Sequence, residues 1–200
     1  MGLLASPDAH LHTERVRIMR KLLPASAAVL FFLAMAAPSD AQKKKDKDTG
    51  DNLPPRADEI PKYMKMLTGA SSKDRAVAAH KIGLRGAVNF DDVKDAIGPL
   101  MKALEKDADS DVRKESARAL GNIKPEAKDT VPLLTKTVEM DKVMDVRLAA
   151  TIALGQYADE AKESLPTLRS FAGEFKDKKA PQLQTIQQSI KLISGFKGKK

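Results

Sequence analysis

From residue 57 onward the apolar positions recur with a helical period. Val93, Ala96, Ile97, Leu100, Met101 and Leu104 fall at i, i+3, i+4, i+7, i+8 and i+11, one continuous stripe along a helix. Val112, Ser116, Ala119, Leu120 and Ile123 repeat that spacing, as do Val146, Ala150, Ala153, Leu154 and Tyr157, and then Leu183, Ile186, Ile190 and Ile193. Ala161, Leu165, Leu168, Ala172 and Phe175 supply a further stripe. Polar turns such as KDADSD (106–111) and MDKVMD (140–145) separate the stripes, with Asp109, Ser110 or Asp145 placed to cap the helix that follows. No strand-like alternation competes, so the pattern predicts an all-α chain.

The stripes are also copies of one another. Pro99, Pro132 and Pro166 lie at intervals of 33 and 34 residues, and Asp111-Val112-Arg113 leading to Ala119-Leu120-Gly121 recurs 34 residues later as Asp145-Val146-Arg147 leading to Ala153-Leu154-Gly155. Pro61, Arg75, Ala79, Ile82 and Gly83 sit 38 residues before Pro99, Arg113, Ala117, Leu120 and Gly121, an earlier and more degenerate copy. A fourth begins at Leu165-Pro166 and closes at Gly195. Periods of this size signify stacked helical units, here about 57–90, 91–124, 125–158 and 159–196. Each unit reads as two helices too short to be stable alone in water, so stability must come from stacking.

A proline in the first helix, D-V-R at the turn and A-x-A-L-G closing the second helix resemble HEAT-like repeats, in particular the short kind named after phycobilisome lyases. The resemblance covers residues 57–196, strongest in the two central units. The first unit has Lys73-Asp74-Arg75 at the tripeptide, and the fourth lacks it, as suits terminal units that face solvent on one side. The resemblance implies a right-handed α-solenoid of about four antiparallel helix pairs, working as an interaction scaffold, and the chain is expected to be a monomer. In such repeats the turn Asp and Arg form a structural ladder between neighbours, which assigns that role to Asp111, Arg113, Asp145 and Arg147. Second helices line the concave face.

The amino terminus carries a different message. Met19-Arg20-Lys21 precedes sixteen uncharged residues, Leu22 to Ala37, and the run ends at Pro38-Ser39-Asp40-Ala41. That is short of the roughly 20 residues of a membrane span and has small residues where an export peptidase cuts. Residues 1–41 therefore read as an export signal cleaved after Ala41, with residues 1–18 an extended or spurious start. The expected destination is the periplasm or the exterior, with no stable membrane span left after cleavage. Residues 42–56 read as a charged linker and 197–200 as a basic tail.

Charge narrows the partners. The chain has 35 basic and 27 acidic residues, but the tails hold most of the excess, and residues 57–196 contain 23 basic against 21 acidic. With only two Tyr, six Phe and no Trp, the folded part lacks the basic, aromatic-rich face of a nucleic-acid binder. Binding of nucleic acid or another anionic polymer through the lysine-rich tails stays open as an alternative.

Candidate chemistry is sparse. No Cys is present, and after removal of residues 1–41 His80 is the sole imidazole, with no Cys, second His or activated Ser at usable spacing. Asp107 to Asp111 mimics the start of a calcium loop, yet Val112 stands where Gly is needed and Arg118 where Glu is needed, so the run reads as a capped turn. Asp91, Asp92 and Asp95 read as a helix start. No catalytic residue, cofactor or metal is expected. A lyase-like, chromophore-handling activity is the enzymatic alternative, carried by the family resemblance alone.

The surface is then the expected functional feature. Opposite the buried stripe of the second helices lie Lys114 and Arg118, with Leu148 and Ile152 at +34 and Ala76 and His80 at −38. Gly83, Gly121 and Gly155 fall on the same rows. His80, Lys114, Arg118, Leu148 and Ile152 are thus the candidate partner-binding residues, for a protein or peptide, unless stacking buries them between units.

Overall fold

A computed structural model describes residues 52–195. The export signal expected over residues 1–41, most of the charged linker and the basic tail lie outside the described residues. Within them, helices follow one another as α1 (Ile60–Leu67), α2 (Ser72–Val88), α3 (Ile97–Lys106), α4 (Ser110–Ile123), α5 (Ala127–Met140), α6 (Met144–Tyr157), α7 (Leu165–Gly173) and α8 (Pro181–Ile193). Short 3-10 segments, Ala57–Glu59, Phe90–Ala96 and Ala158–Ser164, precede α1, α3 and α7. No strand occurs among the described residues.

The helices pair as α1/α2, α3/α4, α5/α6 and α7/α8, and each second helix packs on the next, α2 on α4, α4 on α6, α6 on α8. One apolar cluster runs through all four pairs from Ile60 to Ile193, a helical-repeat solenoid with a continuous core. The stripes Val112, Ser116, Ala119, Leu120, Ile123 and Val146, Ala150, Ala153, Leu154, Tyr157 are fully buried. Burial removes their apolar area from water and gives the short helices the stabilisation they lack alone.

Two first helices differ from the unbroken stripes of the sequence. Residues 90–96 wind as 3-10 and the α-helix starts at Ile97, while 158–164 do the same before Leu165. Pro99 and Pro166 sit in the first turn of the α-helices that follow, where a missing N–H costs little, whereas Pro132 lies inside α5 without breaking it. The stripe residues still face the core, Val93 and Ala96 included. Phe175 falls beyond α7, where its ring meets Phe171 edge-on at 5.7 Å. Capping differs too. Asp109 caps α4, accepting from the backbone N–H of Asp111 (2.9 Å) and Val112 (3.3 Å), whereas α6 starts after Val143 and Asp145 caps nothing.

The second helices approach one another more closely than the first. At their contacts stand Gly83 against Ala119, Gly121 against Ala153 and Gly155 against Ser189. The first helices touch only sparsely across units. A stack whose two rows differ in spacing bends toward the tighter row, which puts the second helices on the inner side. Gly83, Gly121 and Gly155 are therefore buried between units and are not part of the outward rows on which the helical wheel places them. The wheel assumes one buried side per helix. A second helix here has three, toward its pair and toward both neighbours.

Candidate interaction surface

The inter-repeat joints decide how the surface is held. Arg75 spans from its own turn to the next unit: Nε and Nη2 donate to Asp107 at 2.7 and 2.8 Å, while Nη1 donates to the carbonyls of Gly69 and Ala70 at 3.1 and 2.9 Å. Arg113 repeats this with Asp141 (2.7 and 3.1 Å) and the carbonyls of Asp107 and Ala108 (2.9 and 3.2 Å). Arg147 reaches Glu174 at 2.9 and 2.8 Å, donates to the Val138 carbonyl and stacks on the Phe171 ring, its guanidinium carbon 3.9 Å from the centroid. Each forked guanidinium thus satisfies the exposed carbonyls of one turn and the carboxylate of the next.

This ladder corrects the expected one at its acidic rungs. Asp111 and Asp145 do not take part. Both are exposed in the first turn of their helices, and Asp111 pairs with Lys114 at 2.6 Å. Helix starts favour negative charge, which accounts for an Asp there without any inter-repeat partner. The rungs are Asp107 and Asp141, four residues upstream, where the turn aims the carboxylate at the arginine of the unit before. The Arg75 hydrogen bond holds the Asp107 carboxyl below the usual range, and Arg113 does the same for Asp141 against the opposing effect of burial. A visible signal existed: the recurrence of Asp107 and Asp141 at the same 34-residue interval.

On the inner face, His80 is half-buried on α2 and its Nδ1 lies 3.3 Å from Glu115 Oε2 on α4. Arg118 is exposed and donates to Glu115 Oε1 at 3.0 Å. Lys114 is tied to Asp111. The basic part of the strip is thereby neutralised by two acids, Asp111 and Glu115, each at i+3 spacing from its partner. Next to it on α6, Leu148 is half-buried and rests partly on the core, and Ile152 is half-buried. Gln156 Nε2 donates to Asn122 Oδ1 at 3.3 Å, joining α6 to α4 at the far end of the strip. Leu192 on α8, 41% exposed, takes the equivalent place in the last unit. The inner face is thus a self-paired polar patch grading into an apolar one. Among the described residues no group of three or more His, Cys, Asp or Glu is placed to hold a metal ion.

A family model for HEAT repeats matches residues 60–155 and again residues 97–180. The chain belongs to the HEAT repeats. No curated protein matches it. HEAT repeats are generally non-enzymatic scaffolds and commonly serve protein interaction. In this HEAT-repeat chain, no described helix is long and apolar enough to cross a membrane.

The Glu115 contact carries a pH prediction. Burial pushes its carboxyl up, but the His80 hydrogen bond and the charges of Arg118 and Lys114 outweigh that and hold it below the ordinary glutamate range. A depressed carboxyl contributes stability above the unfolded-state value and loses it as pH falls through the folded one. Urea denaturation over a pH series is therefore expected to show wild type more stable than Glu115→Gln at neutral pH, with the gap closing on acidification below the ordinary glutamate range. A gap that stays constant with pH would mean the carboxylate is not held in this way.

Proposed function

We propose that this protein is an exported HEAT-repeat interaction module that binds a protein or peptide along the inner face of its second helices. The observation that carries the reading is the apolar pair Leu148 and Ile152, half-buried on the inner row beside a polar patch whose charges are already paired. Apolar surface framed by polar groups favours association, because a partner removes it from water while the rim stays solvated. Four units make a short row, so a single helix or an extended segment is the fitting guest. Export rests on the charged start, apolar run and small-residue boundary between Met19 and Ala41.

The test is affinity capture from the envelope fraction of the exporting cell, beside amino-terminal sequencing of the full-length chain, residues 1–200, expressed in that cell. Parent protein starting at Gln42 is expected to retain one specific protein, and a Leu148→Asp, Ile152→Asp double variant with unchanged circular dichroism is expected to lose it. Retention by the folded variant would remove the inner face from the function, and an intact amino terminus would remove export.

A further inference from the structure

Charge is unevenly spread over the second helices. Lys, Arg, Asp and Glu make up five of the 17 residues of α2 and five of the 14 of α4, but two of the 14 of α6 and one of the 13 of α8: Asp145, Arg147 and Lys191. Arg147 is committed to Glu174 and the Val138 carbonyl, and Asp145 stands in the first turn of α6. Ser189 meets Gly155 as Ala153 meets Gly121, which sets a 36-residue step from α6 to α8. By that step Lys191 takes the register of Gly155, the side of a second helix that turns toward the unit after it. Gln184, Gln188 and Leu192 fall beside Leu148, Ile152 and Gln156. The inner side of α6 and α8 is therefore uncharged beyond Asp145 at its margin.

Two further features describe what this side is built to meet. Small or apolar residues occupy the sides of α6 that face α4, α5 and α8, and Leu148 with Ile152 extends that character to the fourth. A helix apolar all round belongs inside a protein, and among the described residues no element packs on the fourth side as α4, α5 and α8 pack on the others. Amides flank the apolar pair. On α4, Asn122 accepts from Gln156 through Oδ1, and its amino group has no hydrogen-bond partner among the described residues. On α8, Gln188 is half-buried and has none either. An amide matches main-chain N–H and C=O groups. A helix spends those groups on itself, whereas an extended segment has them to offer and presents alternate side chains to one face.

We propose that the guest of the inner face is an extended, uncharged segment of a partner protein, which crosses from α4 over α6 to α8 with its apolar side chains on Leu148 and Ile152 and its main chain on the amides of Asn122 and Gln188. This rests on the inner face being the binding surface. A charged segment would find no open counter-ion on α6 and α8, and in the other half Lys114, Arg118 and His80 are already held by Asp111 and Glu115. The crossing covers two helix spacings of about 8–10 Å each, which about six extended residues span.

The experiment selects phage-displayed random peptides of about 16 residues, long enough for four helical turns, on the immobilised full chain. Enriched peptides are expected to be depleted in Asp, Glu, Lys and Arg and to place apolar residues at i, i+2 and i+4. A synthetic peptide of the enriched sequence should bind equally at about 0.05 and 0.5 M salt. It should bind about tenfold more weakly to an Asn122→Leu, Gln188→Leu variant, which keeps the contact area and removes the amides. Chemical-shift changes on the isotopically labelled full chain should centre on Asn122, Ile152 and Gln188, which locates the peptide without any variant. Peptides rich in one sign of charge, an i, i+3, i+4, i+7 apolar pattern, or affinity that falls with salt overturns the proposal, and shifts still centred on α6 and α8 would leave the inner face standing as the surface. Shifts centred elsewhere overturn both readings. The proposal is also overturned by no enrichment, by self-association that Ile152→Asp abolishes, or by binding only to phosphatidylcholine vesicles.

Discussion

Replacing Arg113 with alanine is expected to lower the unfolding free energy by about 2 kcal/mol, between the cost of breaking a surface ion pair and that of breaking a fully buried one. The size follows from what is left behind. Asp141 keeps only 9% of its side chain exposed, and without Arg113 it becomes a carboxylate with its ion-pair partner gone. The carbonyls of Asp107 and Ala108 lose their donor in the same step. Arg113→Lys should recover little, because one ammonium cannot reach a carboxylate and two carbonyls in the planar fork the site requires. Chemical denaturation of the three proteins checks this. The Asp141 carboxyl is depressed in the folded protein, so the contribution is fully present above the ordinary aspartate range and fades as pH falls through the folded value. In the alanine variant that acid-side loss should shrink. An Arg113→Ala protein within about 0.5 kcal/mol of wild type would reduce the ladder to a surface ion pair.

The second large effect concerns a glycine. A Cβ at Gly83 would sit 2.7 Å from the Ala119 Cα and 2.9 Å from its Cβ, contacts that only a shift of α2 against α4 can relieve. Gly83→Ala is therefore expected to destabilise by about 1–3 kcal/mol through overpacking, even though alanine is the better helix former by about 1 kcal/mol. Gly83→Leu should prevent the two helices from closing and leave the first unit unfolded. Gly98 supplies the control. Nothing lies within 4 Å of a Cβ built there, so Gly98→Ala should be neutral or stabilising by up to about 1 kcal/mol. Thermal melts of the two alanine variants, moving in opposite directions, would establish that the inner row is limited by backbone approach. If Gly83→Ala melts above wild type, the helices have slack and the inner bend has another origin.

The amino-acid sequence by itself determined the helical class, the repeat and the buried stripes, because a 3.6-residue period and a 34-residue recurrence are local facts that survive without coordinates. Val112, Leu120, Val146 and Leu154 are buried as their spacing requires. The arginines of the turn were legible in the same way, as recurring residues of a recognisable repeat. Which acids they meet was decided by tertiary structure. Asp107 and Asp111 both recur with the repeat, and only the path of the chain through the turn selects the first. The inner face shows the same division. Its apolar members could be placed on a helix, but the neutralisation of Lys114 and Arg118 by Asp111 and Glu115, and the reach of His80 across to α4, depend on side-chain direction and on how close two helices come. Gly83, Gly121 and Gly155 mark the limit most clearly. A helical wheel sees one partner, whereas a helix in a stack meets its pair and both neighbours, and the backbone approach that those glycines permit exists only after the units have assembled.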